Sequence, residues 1–344
     1  MSGSAAKAQS VDWSLALKDP VVSLSWAPDG GSLAAITGEG RLVIVNAATG
    51  AVLHDVVAHE GGGFKVGWNP KEAILASTGQ DGQVRLWSPV TGQQVESYPA
   101  GAAWGEQLAW SPTGDWLATA AGKQLKFWAP GRGVVHTFKE HPSTLTSLAW
   151  KSDGAMLAVS YYGAVRFYDP NSGGAAKTLP WKTSLISVSW SPDSRWVVAG
   201  TQELSVQIWE MPFRPGEELA MSGYHTKVRE LAWHSNSRFL ATGGGNEAMV
   251  WNCGGGGPAG TTPRILEGHS AKITALDYQP VGHLLASGGA DSMVYFWNAG
   301  KSSSPLGQTR MNGALEVVKW SPTQSKVAVG TLDGTLAVIT GPNV

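Results

Sequence analysis

Few residues in this 344-residue chain combine the types and spacings that chemistry needs. The candidates are eight histidines, the single cysteine Cys253, the glycine run 254–257 and the triplet Gly300-Lys301-Ser302. A phosphate loop requires a glycine five residues upstream of such a triplet, so that backbone amides cradle the phosphates while the lysine reaches them. That glycine is missing here, and the glycine run sits in the segment NCGGGGPAGTT, which reads as a flexible connection. Neither an H-E-x-x-H nor a G-x-S-x-G motif occurs, so metalloprotease and nucleophile-elbow chemistry have no carrier. Cys253 cannot make an internal disulfide and has no Cys/His pairs at zinc spacing around it; a reducing compartment and no bound metal are expected.

The charge balance narrows the partners. With 25 Lys+Arg against 26 Asp+Glu, the summed field offers no general attraction to nucleic acid or to an anionic membrane, and neither is expected as a partner. The opening MSGSAAKAQS has no apolar core of a signal peptide, and no run of 18 apolar residues follows, so a cytoplasmic address is expected. Gly (44) and Trp (17) are abundant while charged residues are only 15%, which suits short strands, tight turns and large repeated anchors rather than helices.

The anchors recur with a period. An aromatic residue ends an alternating apolar run at Trp26, Trp68, Trp110, Trp150, Trp190, Trp233, Tyr278 and Trp320, at intervals of 40–45 residues. A second series follows about 18 residues later at Val45, Trp87, Trp128, Tyr168, Trp209, Trp251, Trp297 and Ile339. Turn sequences such as APDG and SPTG separate the first strand from the second, D-G-type turns the second from the third, and NAATG or SPVTG the third from a weaker outer strand. Four strands per unit make a propeller blade. The twelve Trp of the two series are expected to be core, one large side chain per sheet filling the wedge between blades.

A repeat of this length ending in Trp after a D-G-type turn resembles the WD40 family, most fully over residues 266–298, and the resemblance extends over essentially the whole chain. The expectation is an all-β, eight-bladed WD40-type β-propeller of four antiparallel strands per blade, one domain spanning 1–344, with repeats starting near 21, 63, 105, 145, 185, 228, 273 and 315. The last repeat lacks an outer strand, and residues 11–18 are expected to supply it, closing the ring and removing an exposed edge.

The resemblance also implies roles. A His, Ser, Asp and Trp commonly form a buried hydrogen-bonded tetrad in this family, and two sets fit with the same spacing: His59, Ser77, Asp81, Trp87 and His269, Ser287, Asp291, Trp297. Other units depart, with Tyr162 in the Asp place of the fourth and Gly122 in that of the third. His59, His141 and His269 are therefore expected to be structural rather than catalytic or ligating. Family contact positions on one end of the propeller carry over to Phe64, Trp104, Glu106, Tyr161, Ile186, Lys227, Arg229, Lys272 and Glu316; Trp181, off the periodic series, joins them as a loop residue. Aromatics beside basic groups make a plausible protein-binding surface. The expected function is a non-catalytic scaffold for protein or peptide partners, monomeric on its own and without cofactor. The alternatives are a small molecule or metal in the central channel near Glu106, Glu316 and Arg229, and a propeller enzyme of the quinone-cofactor type. Against the last, the Trp positions lie elsewhere in the repeat than that class requires.

Overall fold

The computed structural model describes residues 6–101, 104–139 and 141–343. Alternating apolar residues form the strands. In the first repeat Val21–Trp26, Ser32–Thr37, Arg41–Asn46 and Val52–Val57 pair as an antiparallel meander in chain order. The second and third strands are almost wholly buried, whereas the outer strand alternates between exposed and half-buried residues. Two covered faces on the middle strands mean that a sheet is packed on either side. Ile36, Leu42 and Ile44 of this sheet meet Val66, Leu75 and Trp87 of the next.

First strands of consecutive repeats touch in order around the molecule, and Leu315–Trp320 touches Val21–Trp26, so the array closes on itself around an axis. The first-strand tryptophans tie this inner ring together. Each indole N–H donates to the carbonyl of the residue just before the aromatic of the preceding repeat: Trp68 to Ser25, Trp110 to Gly67, Trp150 to Ala109 and Trp320 to Asp277, all at 3.0 Å. Trp26 makes the same bond to Lys319 at 3.0 Å and joins the two ends of the array. Trp190 and Trp233 do not: their buried N–H groups have no partner.

Closure involves the start of the chain. Val11–Ala16 pairs antiparallel with Thr335–Thr340, Leu15 lying opposite Leu336. Trp13 also donates to the Ala47 carbonyl at 2.8 Å, fastening this strand to the first repeat. A short segment, Lys7–Ala8, adds a parallel fifth strand beside Gly307–Arg310.

The expected count of eight blades is corrected by the hydrogen bonding. The strands form seven sheets, because the fourth and fifth repeats share one six-stranded sheet. The strand Gly174–Trp190 runs through both: its residues 174–180 pair with Leu157–Asp169 and its residues 185–190 with Trp196–Thr201. Tyr162 opposite Ser184 bridges the two halves. Elsewhere glycine-rich or polar loops separate an outer strand from the next first strand, and here extended TLPWKTSL does not.

Candidate functional site

Two repeats hold the His-Ser-Asp-Trp set as one hydrogen-bonded chain. Trp87 Nε1–H donates to Ser77 Oγ at 2.8 Å, Ser77 Oγ lies 2.8 Å from His59 Nε2, and His59 Nδ1 lies 2.9 Å from Asp81. The other set repeats this with Trp297, Ser287, His269 and Asp291, all at 2.9 Å. One tautomer satisfies every group: the indole donates to serine, serine to Nε2, and Nδ1–H to the carboxylate. The histidines lie beside glycines that leave them room; a Cβ on Gly289 would stand 2.4 Å from His269 Nδ1. With both ring nitrogens engaged and the rings buried, these imidazoles hold the second-to-third-strand turn against the preceding loop and have no free nitrogen for catalysis.

Burial pushes His59 and His269 below the ordinary imidazole value, against the pull of Asp81 and Asp291. His141 and His234 are lowered for the same first reason. Burial acts to raise Asp81 and Asp291, but hydrogen bonds led by those from His59 and His269 hold both below the usual carboxylate range. The unfolded chain thus takes up protons near pH 6.5 while the native histidines do not, and near pH 4 while the native carboxylates do not. The stability these groups contribute is complete above about pH 6.5 and is lost on acidification. Urea midpoints should be flat from pH 7 to 8 and fall below pH 6.5, with a shallower fall in the double variant His59→Asn, His269→Asn. Equal slopes in the two proteins would contradict this account.

Two further repeats reach a similar end with other side chains. In the fourth, His141 Nε2 meets Tyr168 Oη at 2.7 Å and His141 Nδ1 donates to the Lys123 carbonyl at 2.8 Å. In the sixth, Tyr224 stands where histidine would: its hydroxyl lies 2.9 Å from Thr242 Oγ1 and accepts from Trp251 Nε1 at 2.9 Å. The signal in the sequence is the 18-residue step from Tyr224 to Thr242, the same as from His59 to Ser77.

The candidate contact residues divide. Trp104 is 53% exposed and stands 6.1 Å from the half-buried ring of Phe64. Glu106 and Ile186 are half-buried, and Lys227, Arg229 and Glu316 are exposed. Lys272 lies 3.8 Å from the buried Glu230, whose carboxyl burial pushes up. Trp181 packs edge-on against Trp209 at 6.2 Å and donates to Thr183 Oγ1, which leaves it half-buried. Tyr161 is a correction: it is 3% exposed, its ring at 5.8 Å from His141, and its neighbour Tyr162 is the one that faces out, at 60%.

Around the axis, charges of both signs meet. Burial lowers the Lys65 pKa, and the charges of Lys319 and Arg229 lower it further while Glu316 opposes them. These side chains belong to the second, sixth and eighth repeats, and groups from such distant repeats act on one another only by projecting into the space the first strands enclose. Lys319 is itself paired with Asp277 at 3.1 Å. Among the described residues no cluster of three or more His, Cys, Asp or Glu is placed to hold a metal ion. Cys253 is buried and its thiol is pushed up to about 12 by that burial, which leaves it protonated and unreactive at neutral pH.

The chain matches the WD domain, G-beta repeat family over residues 50–88, 217–252 and 260–298, and the anaphase-promoting complex subunit 4 WD40 domain over 108–193. THO complex subunit 3 of Arabidopsis thaliana is 28% identical over 131 residues, covering 38% of this chain and 41% of that protein. The B-type cell cycle switch protein ccs52B of Medicago truncatula is 30% identical over 144 residues, covering 41% of this chain and 29% of its own length. The matches thus span less than half the length of these relatives. Among solved structures, the computationally designed Ika8 protein superposes with a TM-score of 0.78 at 20% identity, covering 94% of this chain and 96% of that one, a likeness of fold alone. The period of the repeats, the ring of sheets they build and these matches agree: the chain belongs to the WD40 repeat family.

Proposed function

We propose that this chain is a non-catalytic scaffold that holds a protein or peptide partner on the end of the propeller carrying Phe64, Trp104, Tyr162 and Arg229. The observation that carries the reading is an exposed tryptophan on a half-buried aromatic: Trp104, 53% exposed, stands 6.1 Å from Phe64. Tyr162 (60%), within the strand Leu157–Asp169, and Leu332 (49%), in the turn between the second and third strands of the last repeat, are exposed. These positions and the starts of the first strands lie at the same end, because Gly63 pairs with Gly79 and Leu145 with Tyr161. Exposed aromatics and arginine mounted on rigid sheets are the usual energetic anchors of an interface. The name of one relative, a subunit of the THO complex, supports an assembly role.

The test is the four-site variant Phe64→Ala, Trp104→Ala, Tyr162→Ala, Arg229→Ala, used as bait in extracts of its own cells with quantitative mass spectrometry. Anchors of this type cost about 2 kcal/mol or more each on truncation, so partner recovery should fall at least ~10-fold while the melting temperature is kept. Undiminished recovery would place the partner elsewhere.

A further inference from the structure

The second and fourth repeats differ at one position in a way that leaves an arginine without a carboxylate partner among the described residues. Arg85 and Arg166 occupy the same place, two residues before the third-strand aromatics Trp87 and Tyr168 and four after the turn residues Asp81 and Tyr162. In the second repeat Arg85 Nη1 bonds Asp81 at 2.5 Å. In the fourth the carboxylate is replaced by the outward-facing Tyr162, and Arg166 Nε is buried with no hydrogen-bond partner. Its guanidinium carbon sits 5.7 Å from the ring of Tyr161. A buried guanidinium N–H without a partner is costly and calls for an explanation.

Arg166 lines a cavity of about 410 Å³ between the outer strand of the third repeat and the third strand of the fourth. Lys139, His141, Thr137, Phe138 and Tyr168 share the lining, and no Asp or Glu among the described residues does. A second hollow of about 280 Å³ shares Lys139 and adds Lys123. His141 Nδ1–H is spent on the Lys123 carbonyl, and Tyr168 O–H on His141 Nε2. Among the described lining residues, the groups left to meet a ligand are therefore the guanidinium, the Lys139 ammonium and the Thr137 hydroxyl: two positive charges and a hydroxyl that can also donate. A planar guanidinium fork and an ammonium lining one cavity suit the oxygens and double charge of a phosphoryl group.

We propose that this lateral cavity binds a phosphoryl group through Arg166 and Lys139. The site does not rest on the scaffold reading, since no residue of the aromatic face lines it. The phosphoryl group can come from free phosphate or from a phosphorylated side chain of a partner, and the experiment separates these sources.

Isothermal titration of the full chain at pH 7.5 uses two probes, inorganic phosphate and N-acetyl-phosphothreonine N-methylamide. At least one should bind with 1:1 stoichiometry; similar affinities point to the free anion, and tighter binding of the amino-acid derivative to a phosphorylated segment. The discriminating variant is Tyr162→Asp, which restores the carboxylate of the second repeat while leaving every cation in place. It should weaken binding by about tenfold or more, as should Arg166→Met, the loss expected for a charged hydrogen-bonding partner. Tyr162 is exposed, so its variant should keep the parent melting temperature, and Lys139→Ala should weaken binding less than Arg166→Met. Glu140 lies outside the described residues, and Glu140→Gln is the control for it. Failure of both probes to bind the parent chain, binding by Tyr162→Asp and Arg166→Met as tight as that of the parent chain, or binding that appears only in Glu140→Gln would each overturn the proposal.

Discussion

Alanine in place of Trp297 should lower the unfolding free energy by about 3–5 kcal/mol, the usual loss for a truncated core tryptophan. Trp297 is 1% exposed and packs between Leu276, Tyr278 and Leu285. It is also the donor that completes the partners of Ser287, which in turn faces His269. The alanine variant therefore opens a cavity and breaks a buried network at its root, and the two penalties act together. Trp297→Phe shrinks the cavity: a benzene ring stays in the core while the pyrrole and its N–H go, and the cost should drop below that of alanine, to roughly 1–3 kcal/mol. Trp104→Ala, on an exposed indole, should change stability by no more than about 0.5 kcal/mol. Urea unfolding of the three variants checks the order, and an alanine cost at position 297 no larger than at position 104 would refute the account.

The second large effect is expected from closure. A chain starting at Asp19 lacks Val11–Ala16, the outer strand on Thr335–Thr340, and with it Trp13, Leu15 and Leu17, which belong to the core around Val21, Leu24 and Leu336. The latch from Trp13 to Ala47 is lost too. What remains is a sheet edge with unpaired N–H and C=O groups, the template on which chains add to one another. Loss of the buried Leu17 and the half-buried Trp13 and Leu15, at up to about 2 kcal/mol each, together with the strand pairing, should lower the melting temperature by roughly 10 °C. The truncated chain should also elute in size-exclusion chromatography as dimers and larger species. A monomer melting with the intact chain would show that the first-strand ring, closed by Trp26 on Lys319, holds the molecule without the outer strand.

Periodic features were legible because they are local. A large residue ends each first strand because every sheet has the same wedge to fill, and the same spacing exposed both His-Ser-Asp-Trp sets. The use of the first-strand indoles was not legible: Trp190 and Trp233 sit in the same series as Trp68 and Trp110, yet only the latter donate across to the preceding repeat. The sixth-repeat network escaped because a tyrosine hydroxyl and a threonine replaced histidine and serine while performing the same exchange of hydrogen bonds.

Residue order by itself determined the all-β repeat, its four-strand unit and the positions of the large core side chains, since alternation and turn chemistry act over a few residues. Three matters were settled only by tertiary structure. The number of separate sheets fell to seven because Gly174–Trp190 stays extended through a join that other repeats break, and continuity of pairing depends on both neighbours at once. Which of two adjacent tyrosines faces solvent turned on one residue of register, which sends Tyr161 inward and Tyr162 outward. Whether Arg166 finds a carboxylate depends on that same turn, where a residue type changed and the arginine four positions on did not.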